Sequence, residues 1–129
     1  MPQVHNASEL VSPPQSAVLL RDLLDLTARR DRVAFAALYD CLAPPVHEIA
    51  ARGLPGGNHA RAIVQATFLE VWHLARLASD YRDVWAWIAV ITERRTAERV
   101  CTLASGYETH TYHDLQTAHD LGLLLGEDG

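Results

Sequence analysis

Apolar residues recur at steps of three and four positions between residues 16 and 101, which is the spacing of one face of an α-helix. The first helix is predicted to begin at Ser16, which is a suitable N-cap. Its apolar positions are Val18, Leu19, Leu23 and Leu26. No stretch alternates apolar and polar residues over a length that favours a β-strand. The pattern therefore predicts an all-α fold, a small bundle of about four helices.

A second helix is predicted to begin after Asp31, whose carboxylate can accept a hydrogen bond from a backbone amide of the first turn. Its apolar face is formed by Phe35, Leu38, Tyr39 and Leu42. Pro44 and Pro45 are expected to kink or split this helix, because each lacks an amide donor and crowds the preceding turn. A short continuation from Ile49 to Arg52 is expected beyond them.

The segment GLPGG, residues 53–57, is the strongest predicted loop, and Asn58 is expected to cap the long helix that follows. The apolar stripe of this helix consists of Ala60, Ile63, Val64, Phe68, Val71, Trp72 and Ala75. A polar break from Ser79 to Asp83 precedes the last well-patterned helix. One side of that helix is predicted to carry Trp87, Ile88, Ile91, Ala97 and Val100. Its arginines, Arg94, Arg95 and Arg99, would then cluster away from this apolar side.

The buried set predicted from these stripes is Phe35, Leu38, Ile63, Phe68, Trp72, Trp87 and Ile91. Trp85 is out of step with the stripe of the last helix, so it is the tryptophan expected at the surface. Trp72 and Trp87 are expected in the core, because tryptophan is the largest apolar side chain available to a small bundle.

Length and composition limit the interpretation to one domain. Residues 1–15 hold Pro2, Pro13 and Pro14 among polar residues and are expected to be flexible. Residues 16–104 are expected to form the helical domain, and residues 105–129 an acidic tail. No apolar run approaches ~18 residues and no secretion signal is present, so a cytoplasmic protein without a membrane partner is expected. Cys41 and Cys101 are expected to be reduced thiols.

The net charge of −5 comes from the end of the chain. Residues 1–101 hold all 11 arginines against an equal number of acidic residues, whereas Glu108, Asp114, Asp120, Glu127 and Asp128 follow without any lysine or arginine. The chain is therefore not a polycation that coats DNA through phosphate contacts alone.

Enzyme chemistry is not indicated, because the chain has no phosphate-binding glycine loop, no nucleophile elbow and no carboxylate pair in a fixed relation to a base. His110, His113 and His119 beside Asp114 would suit zinc only if that stretch were helical. A solvated polar tail is the simpler interpretation, so no metal or other cofactor is predicted. A short leucine-rich helix from Leu115 to Leu125, packed on the domain or on a partner, is the alternative.

Three segments in order resemble the first conserved domain of the extracytoplasmic-function (ECF) sigma factors, often called region 2. AFAALYD, from Ala34 to Asp40, resembles the opening helix. VQATFLEVW, from Val64 to Trp72, resembles the helix that binds RNA polymerase. WAWIAVITERRTAERV, from Trp85 to Val100, resembles the promoter-facing helix. The resemblance covers roughly residues 18–101, and the second helix-turn-helix domain of the family is not expected after it.

The resemblance implies a transcription regulator whose partners are RNA polymerase core and single-stranded promoter DNA of the −10 region. Arginines would pair with phosphates and aromatic side chains would stack on unpaired bases. The residues that it places on polymerase are Arg61, Gln65, Leu69 and Glu70. The residues that it places on DNA are Tyr81, Arg82, Trp85, Arg94, Arg95 and Arg99.

A second hypothesis is a sigma-like interaction module that kept the fold without promoter activity and binds an anti-sigma factor, another regulatory protein, or a second copy of itself. The family usually has acidic residues beside the glutamine of the polymerase-binding helix, whereas Arg61, Ala62 and Ala66 stand near Gln65. The arginines of the last helix would then form an ordinary solvated face, paired with Glu93 and Glu98.

Overall fold

Five α-helices and one 3₁₀ turn make up the part of the chain described by the computed structural model, which covers residues 17–78, 80–106 and 110–126. The helices are α1 (Ala17–Ala28), α2 (Arg32–Gly53), α3 (Gly57–Leu74), α4 (Val84–Ala104) and α5 (His110–Leu124), with the 3₁₀ turn at Ala75–Ala78 after α3. These ranges contain no strand, which confirms the predicted all-α class. No described helix is both long and apolar enough to cross a membrane.

Helix α1 presents a different face to the core from the one predicted. Leu20, Leu24 and Thr27 are buried, whereas Val18 is 71% exposed and Leu26 is also at the surface. Thr27 can be buried because its hydroxyl donates to the carbonyl of Leu23 at 2.8 Å. Leucines lie on several sides of α1, so their spacing identified a helix but did not fix which side faces inward. The predicted cap, Ser16, lies outside the described residues.

Helix α2 begins as predicted and runs without a break through both prolines to Gly53. The amide of Ala34 donates to Asp31 Oδ1 at 3.0 Å, which confirms Asp31 as the N-cap. Pro44 and Pro45 both lie inside one continuous helix, so the predicted split is wrong. Pro45 is buried in the core, and this burial offsets part of the cost of the missing backbone hydrogen bond.

Helix α3 begins one residue before the predicted cap. The N-cap is Gly56, which has a φ of 95° and makes no side-chain capping bond, and Asn58 already lies in the first turn. A positive φ is inexpensive for glycine, so the chain can turn into the helix without a side-chain cap. The prediction of Asn58 as the cap is therefore wrong.

The core lies where α2, α3 and α4 meet, with α1 packed against α2 and α4. Two aromatic contacts join α2 to α3: the ring centroids of Phe35 and Trp72 are 5.2 Å apart, and those of Tyr39 and Phe68 are 4.9 Å apart. Of the seven residues predicted to be buried, the buried ones are Phe35, Leu38, Ile63, Phe68 and Ile91. Trp72 and Trp87 are partly buried against the same core.

Helix α5 packs on α3, so the alternative of a leucine-rich helix folded onto the domain describes this segment. Leu121 is buried at 3% exposure and belongs to the main core cluster, and Leu124 and Leu125 pack against it. Arg32, at the start of α2, donates to the carbonyls of Leu123 and Leu124 near the end of α5. An arginine at this position satisfies carbonyls that have no partner within the helix.

Replacing Thr67 by valine should stabilise the domain. Thr67 is fully buried in α3, and its hydroxyl has no hydrogen-bond partner among the described residues. Thr67→Val removes an unsatisfied polar atom at nearly constant volume, so the free energy of unfolding should rise by about 1 kcal/mol in urea denaturation. Thr92→Val is the control, because that equally buried hydroxyl donates to the carbonyl of Ile88 at 2.9 Å. Equal effects of the two substitutions would contradict this assignment.

Candidate nucleic-acid and polymerase interfaces

The start of α4 brings two aromatic rings together at the surface. Asp83 caps the helix by accepting from the amide of Ala86 at 3.0 Å. The rings of Tyr81 and Trp87 lie 5.8 Å apart between centroids at an interplanar angle of 32°. Arg21 of α1 donates to the carbonyl of Tyr81 at 2.6 Å, which fixes the segment before α4 against α1. Tyr81 is therefore positioned beside Trp87 by hydrogen bonds between the backbone of this segment and the side chains of Arg21 and Asp83.

These two rings border an open groove of about 380 Å³. Its other lining residues are Glu70, Asp83, Ala86, Val90, Ile91 and Arg94. Tyr81 is 51% exposed and Val90 is 60% exposed, so the apolar surface of the groove is open to solvent. A flat aromatic group could stack there, and the guanidinium of Arg94 at the groove would attract an attached anion.

Trp85 is not at the surface, which corrects the sequence prediction. It is 7% exposed and belongs to the core, while Trp87 borders the groove. The inward face of α4 also includes Thr92 and Thr96, whose hydroxyls donate to the carbonyls of Ile88 and Thr92. Ala97 and Val100, which were predicted to face inward, are exposed, and Thr92 and Thr96 take inward positions on this helix. A helical threonine can occupy such a position because its hydroxyl bonds to a carbonyl of its own helix.

Glu70 of α3 connects two of the predicted DNA-binding arginines to the polymerase-binding helix. Its Oε2 accepts from Arg94 Nη2 at 2.6 Å, and its Oε1 accepts from Arg95 Nε at 2.7 Å. The side chain of Glu70 is 13% exposed, whereas those of Arg94 and Arg95 are 47% and 33% exposed. One carboxylate therefore offsets part of both charges. Glu70 faces α4 and is only partly available to a partner on the outer side of α3.

Arg99 is held by a different carboxylate. Its guanidinium makes two bonds to Asp114 of α5, at 3.2 and 2.7 Å, and a third contact to Nδ1 of His59 at 3.0 Å. Because arginine has only donors, Nδ1 of His59 must be the acceptor in that contact. The side chain of Arg99 is 9% exposed. Arg99 is thus the most enclosed of the three arginines, and α5 encloses it.

The remaining predicted residues are distributed over two surfaces. Arg82 is exposed in the segment before α4. On α3, Arg61 is exposed, and Gln65 and Leu69 are half-buried. The structure therefore brings Tyr81 and Arg94 to one groove beside Glu70, whereas Arg95 and Leu69 border a gap between α3 and α5.

Leu69 lies between two gaps along the junction of α3 and α5. One gap, of about 240 Å³, is bordered by Ala66, Leu69 and His73 of α3 and by Thr117 of α5, among others. The second, of about 360 Å³, is bordered by Leu69, Trp72, His73, Asp120, Leu123 and Leu124, together with Arg32. Ala66, Leu69 and His73 are spaced by three and four residues and therefore share one helix face. This face is the one that α5 covers.

The possible metal ligands and the two cysteines are further candidate sites, and the side chain of His110 lies outside those described. No three His, Cys, Asp or Glu side chains within the described ranges are grouped as metal ligands would be. Both cysteines are free thiols, Cys41 half-buried and Cys101 exposed. Burial, with a smaller contribution from the neighbouring carboxylate of Asp40, raises the pKa of Cys41 above its ordinary value, which disfavours the reactive thiolate.

The helical bundle, the outer face of α3 and the arginine-bearing helix α4 together define a sigma-factor-like region. The chain is 35% identical to the ECF RNA polymerase sigma factor SigK of Mycobacterium ulcerans (strain Agy99) over 95 residues, which cover 70% of this chain and 49% of that relative. The resemblance predicted from the three motifs is thereby confirmed. The chain spans about half the length of this curated relative. No protein-family model and no solved structure matches the chain.

Replacing Glu70 by glutamine should destabilise the contact between α3 and α4. The substitution removes the charge that Arg94 and Arg95 share, at nearly constant size. The free energy of unfolding should fall by about 1 to 2 kcal/mol at low salt, and by less at high salt, because both arginines are partly solvated. Glu98→Gln is the matched control, since Glu98 approaches Arg94 only to 3.9 Å and is 64% exposed. A loss for Glu70→Gln no larger than for Glu98→Gln would contradict a bridging role.

Proposed function

We propose that this chain acts as a sigma-type transcription regulator that binds RNA polymerase core through α3 and single-stranded promoter DNA through the groove at the start of α4. The observation that carries the proposal is the pairing of the Tyr81 and Trp87 rings at an open groove, with Arg94 beside them. The relation to a sigma factor supports the same interpretation. Binding to polymerase and binding to DNA are both non-catalytic, so we propose that the chain is not an enzyme.

The groove suits an unpaired base better than a base pair. Stacking needs one accessible ring face, and Tyr81, at 51% exposure, offers it in the segment before α4. Arg82, exposed in the same segment, and Arg94 would then contact the phosphates on either side of the base. Trp85 was predicted to stack on a base but is buried, so Trp87 is the tryptophan that we propose for this contact.

Arg94 is the arginine best placed for a phosphate. It keeps 47% of its side chain exposed while its Nη2 is bonded to Glu70. A guanidinium has five donors, so bonds to one carboxylate leave others for an anion. Arg95 and Arg99 are more enclosed, and their DNA contacts would require rearrangement of Glu70 or Asp114.

Polymerase binding is assigned to the outer face of α3, with Arg61, Gln65 and Leu69 as contacts. Such a face fits a helical partner, because apolar and polar residues three and four positions apart form one continuous stripe. Glu70 would contribute at the edge of this face, where it already fixes Arg94 and Arg95. Core polymerase and promoter DNA would then meet the domain on adjacent surfaces.

One observation favours the alternative of an interaction module without promoter activity. Arg94, Arg95 and Arg99 are each already paired with a carboxylate of the chain itself. Under this alternative, α3 and α5 would present a surface to an anti-sigma factor, another regulator or a second copy of the chain, and single-stranded DNA would not bind at low salt.

Binding of single-stranded DNA should depend on Tyr81 and Arg94 in two different ways. Tyr81→Ala should weaken binding at least about fivefold without changing the salt slope, because stacking is worth roughly 1 to 3 kcal/mol per base and releases few ions. Arg94→Ala should also weaken binding, and it should reduce the logarithmic salt slope by about 0.7, the value for one phosphate contact. Fluorescence anisotropy with a labelled oligonucleotide across a salt series measures both.

Arg29→Ala is the control for this experiment, since Arg29 is an exposed arginine after the last turn of α1. It should leave the affinity nearly unchanged. If Arg29→Ala and Arg94→Ala reduce the affinity and the slope equally, the binding is non-specific attraction and the groove has no part in it. If the intact protein does not bind single-stranded or bubble DNA at low salt, with or without polymerase, the interaction-module hypothesis replaces the proposal.

A further inference from the structure

Helix α5 covers Leu69, one of the α3 residues that the proposed function places on polymerase. Ala66, Leu69 and His73 form the covered face of α3, and Thr117, Asp120, Leu123 and Leu124 of α5 lie across the gaps that border it. We propose that α5 is a displaceable cover, and that polymerase binds α3 by taking the place of α5. This inference rests on the proposed function, since it concerns access to the same face.

The cover is held at two ends. Near its beginning, Asp114 accepts two bonds from Arg99 of α4. At its end, the carbonyls of Leu123 and Leu124 accept from Arg32 of α2. Both contacts join α5 to helices other than α3. They therefore fix the two ends of α5 in addition to its packing on α3.

Helix α5 packs on α3 but buries few of its own side chains completely. Among the described side chains of α5, only Leu121 is buried, whereas α2 buries eight residues. Leu115 and Leu123 of α5 are 67% and 52% exposed. Gaps of about 240 and 360 Å³ remain on the two sides of Leu69. A helix with so little buried apolar area is the part of a domain that separates at low free-energy cost.

The occupant that replaces α5 should resemble it chemically. Helix α5 brings leucines and the carboxylates of Asp114 and Asp120 to this surface, with no lysine or arginine along its length. The covered face thus fits an amphipathic helix with apolar and acidic residues, and a helical element of polymerase core is the occupant to which the proposal commits. A second copy of the chain that exchanges α5 with the first would be an alternative occupant.

Displacement would also change the DNA-binding side. Arg99 is 9% exposed while Asp114 holds it, so it cannot reach a phosphate in this arrangement. Removing α5 takes the carboxylate of Asp114 away from Arg99 and leaves its guanidinium available to an anion. Binding of polymerase and binding of DNA are therefore coupled through one ion pair, and each should strengthen the other.

The test compares full-length variants for binding to purified RNA polymerase core. Asp114→Asn weakens the ion pair at the start of α5, and Leu121→Ser removes its buried apolar anchor. Their controls are Asp22→Asn, an exposed carboxylate of α1, and Leu115→Ser, an exposed leucine of α5. Each variant is checked for cooperative unfolding, and hydrogen exchange of α3 is measured as a readout that does not need polymerase.

We expect both cover variants to bind polymerase core at least about fivefold more tightly than the unmodified chain, the lower end of typical coupling between sites. Amides of α3 should exchange faster in these variants, and the two controls should behave like the unmodified chain. Equal polymerase affinity for all five proteins would overturn the cover while leaving the proposed function in place. Absence of polymerase binding in all five, with faster exchange in the cover variants, would overturn the proposed function and the cover's role with it. A shift of Leu121→Ser to dimers, without gain in polymerase affinity, would make the second copy the occupant and overturn this proposal.

Discussion

The packing of α3 against three other helices is the constraint on which the remaining structure depends. Phe68 and Val71 are fully buried on its inner side, where α2 and α4 meet. Burying these side chains fixes the rotation of α3, because each residue of an α-helix has a set direction relative to the others. Glu70 is thereby directed toward α4 and Leu69 toward α5. The positions of Arg94 and Arg95 beside Glu70, and of α5 beside Leu69, follow from this one rotation.

Local sequence pattern was sufficient where a helix has one clear apolar face or a strong cap. Asp31 was identified because a carboxylate before an apolar-periodic segment has a specific hydrogen-bonding role, and Phe35 and Phe68 were placed in the core by helical spacing. The pattern was not sufficient where a polar side chain is buried because it bonds to the backbone of its own helix. Thr27, Thr92 and Thr96 are buried with their hydroxyls bonded to carbonyls of their own helices. None of these buried positions could be predicted from a stripe of apolar residues alone.

The candidate site was less predictable than the fold, because its geometry comes from contacts between distant parts of the chain. Glu70 is 24 residues from Arg94 in the sequence, and Arg99 is 15 residues from Asp114 on a different helix. Helical spacing predicted that these arginines lie near one another but carried no information about their carboxylate partners. The three-motif resemblance predicted that α3 and α4 carry the two interfaces. It could not show that Trp87, in place of Trp85, lies at the groove.

Pairing of the arginines within the chain makes the proposed DNA binding an exchange of partners. A phosphate that approaches Arg94 competes with Glu70, and one that approaches Arg99 competes with Asp114. Exchange at Arg94 costs little, because its solvated guanidinium keeps free donors while Glu70 stays bonded to Arg95. Exchange at Arg99 costs more, since its side chain is 9% exposed and α5 must move before an anion can enter. Under the proposed function, Arg94 can therefore meet a phosphate in the arrangement described, whereas Arg99 can do so only after α5 has moved. We expect a partner that displaces α5 from α3 to change the access to Arg99 without altering Arg94, so that DNA binding would strengthen when that partner is bound.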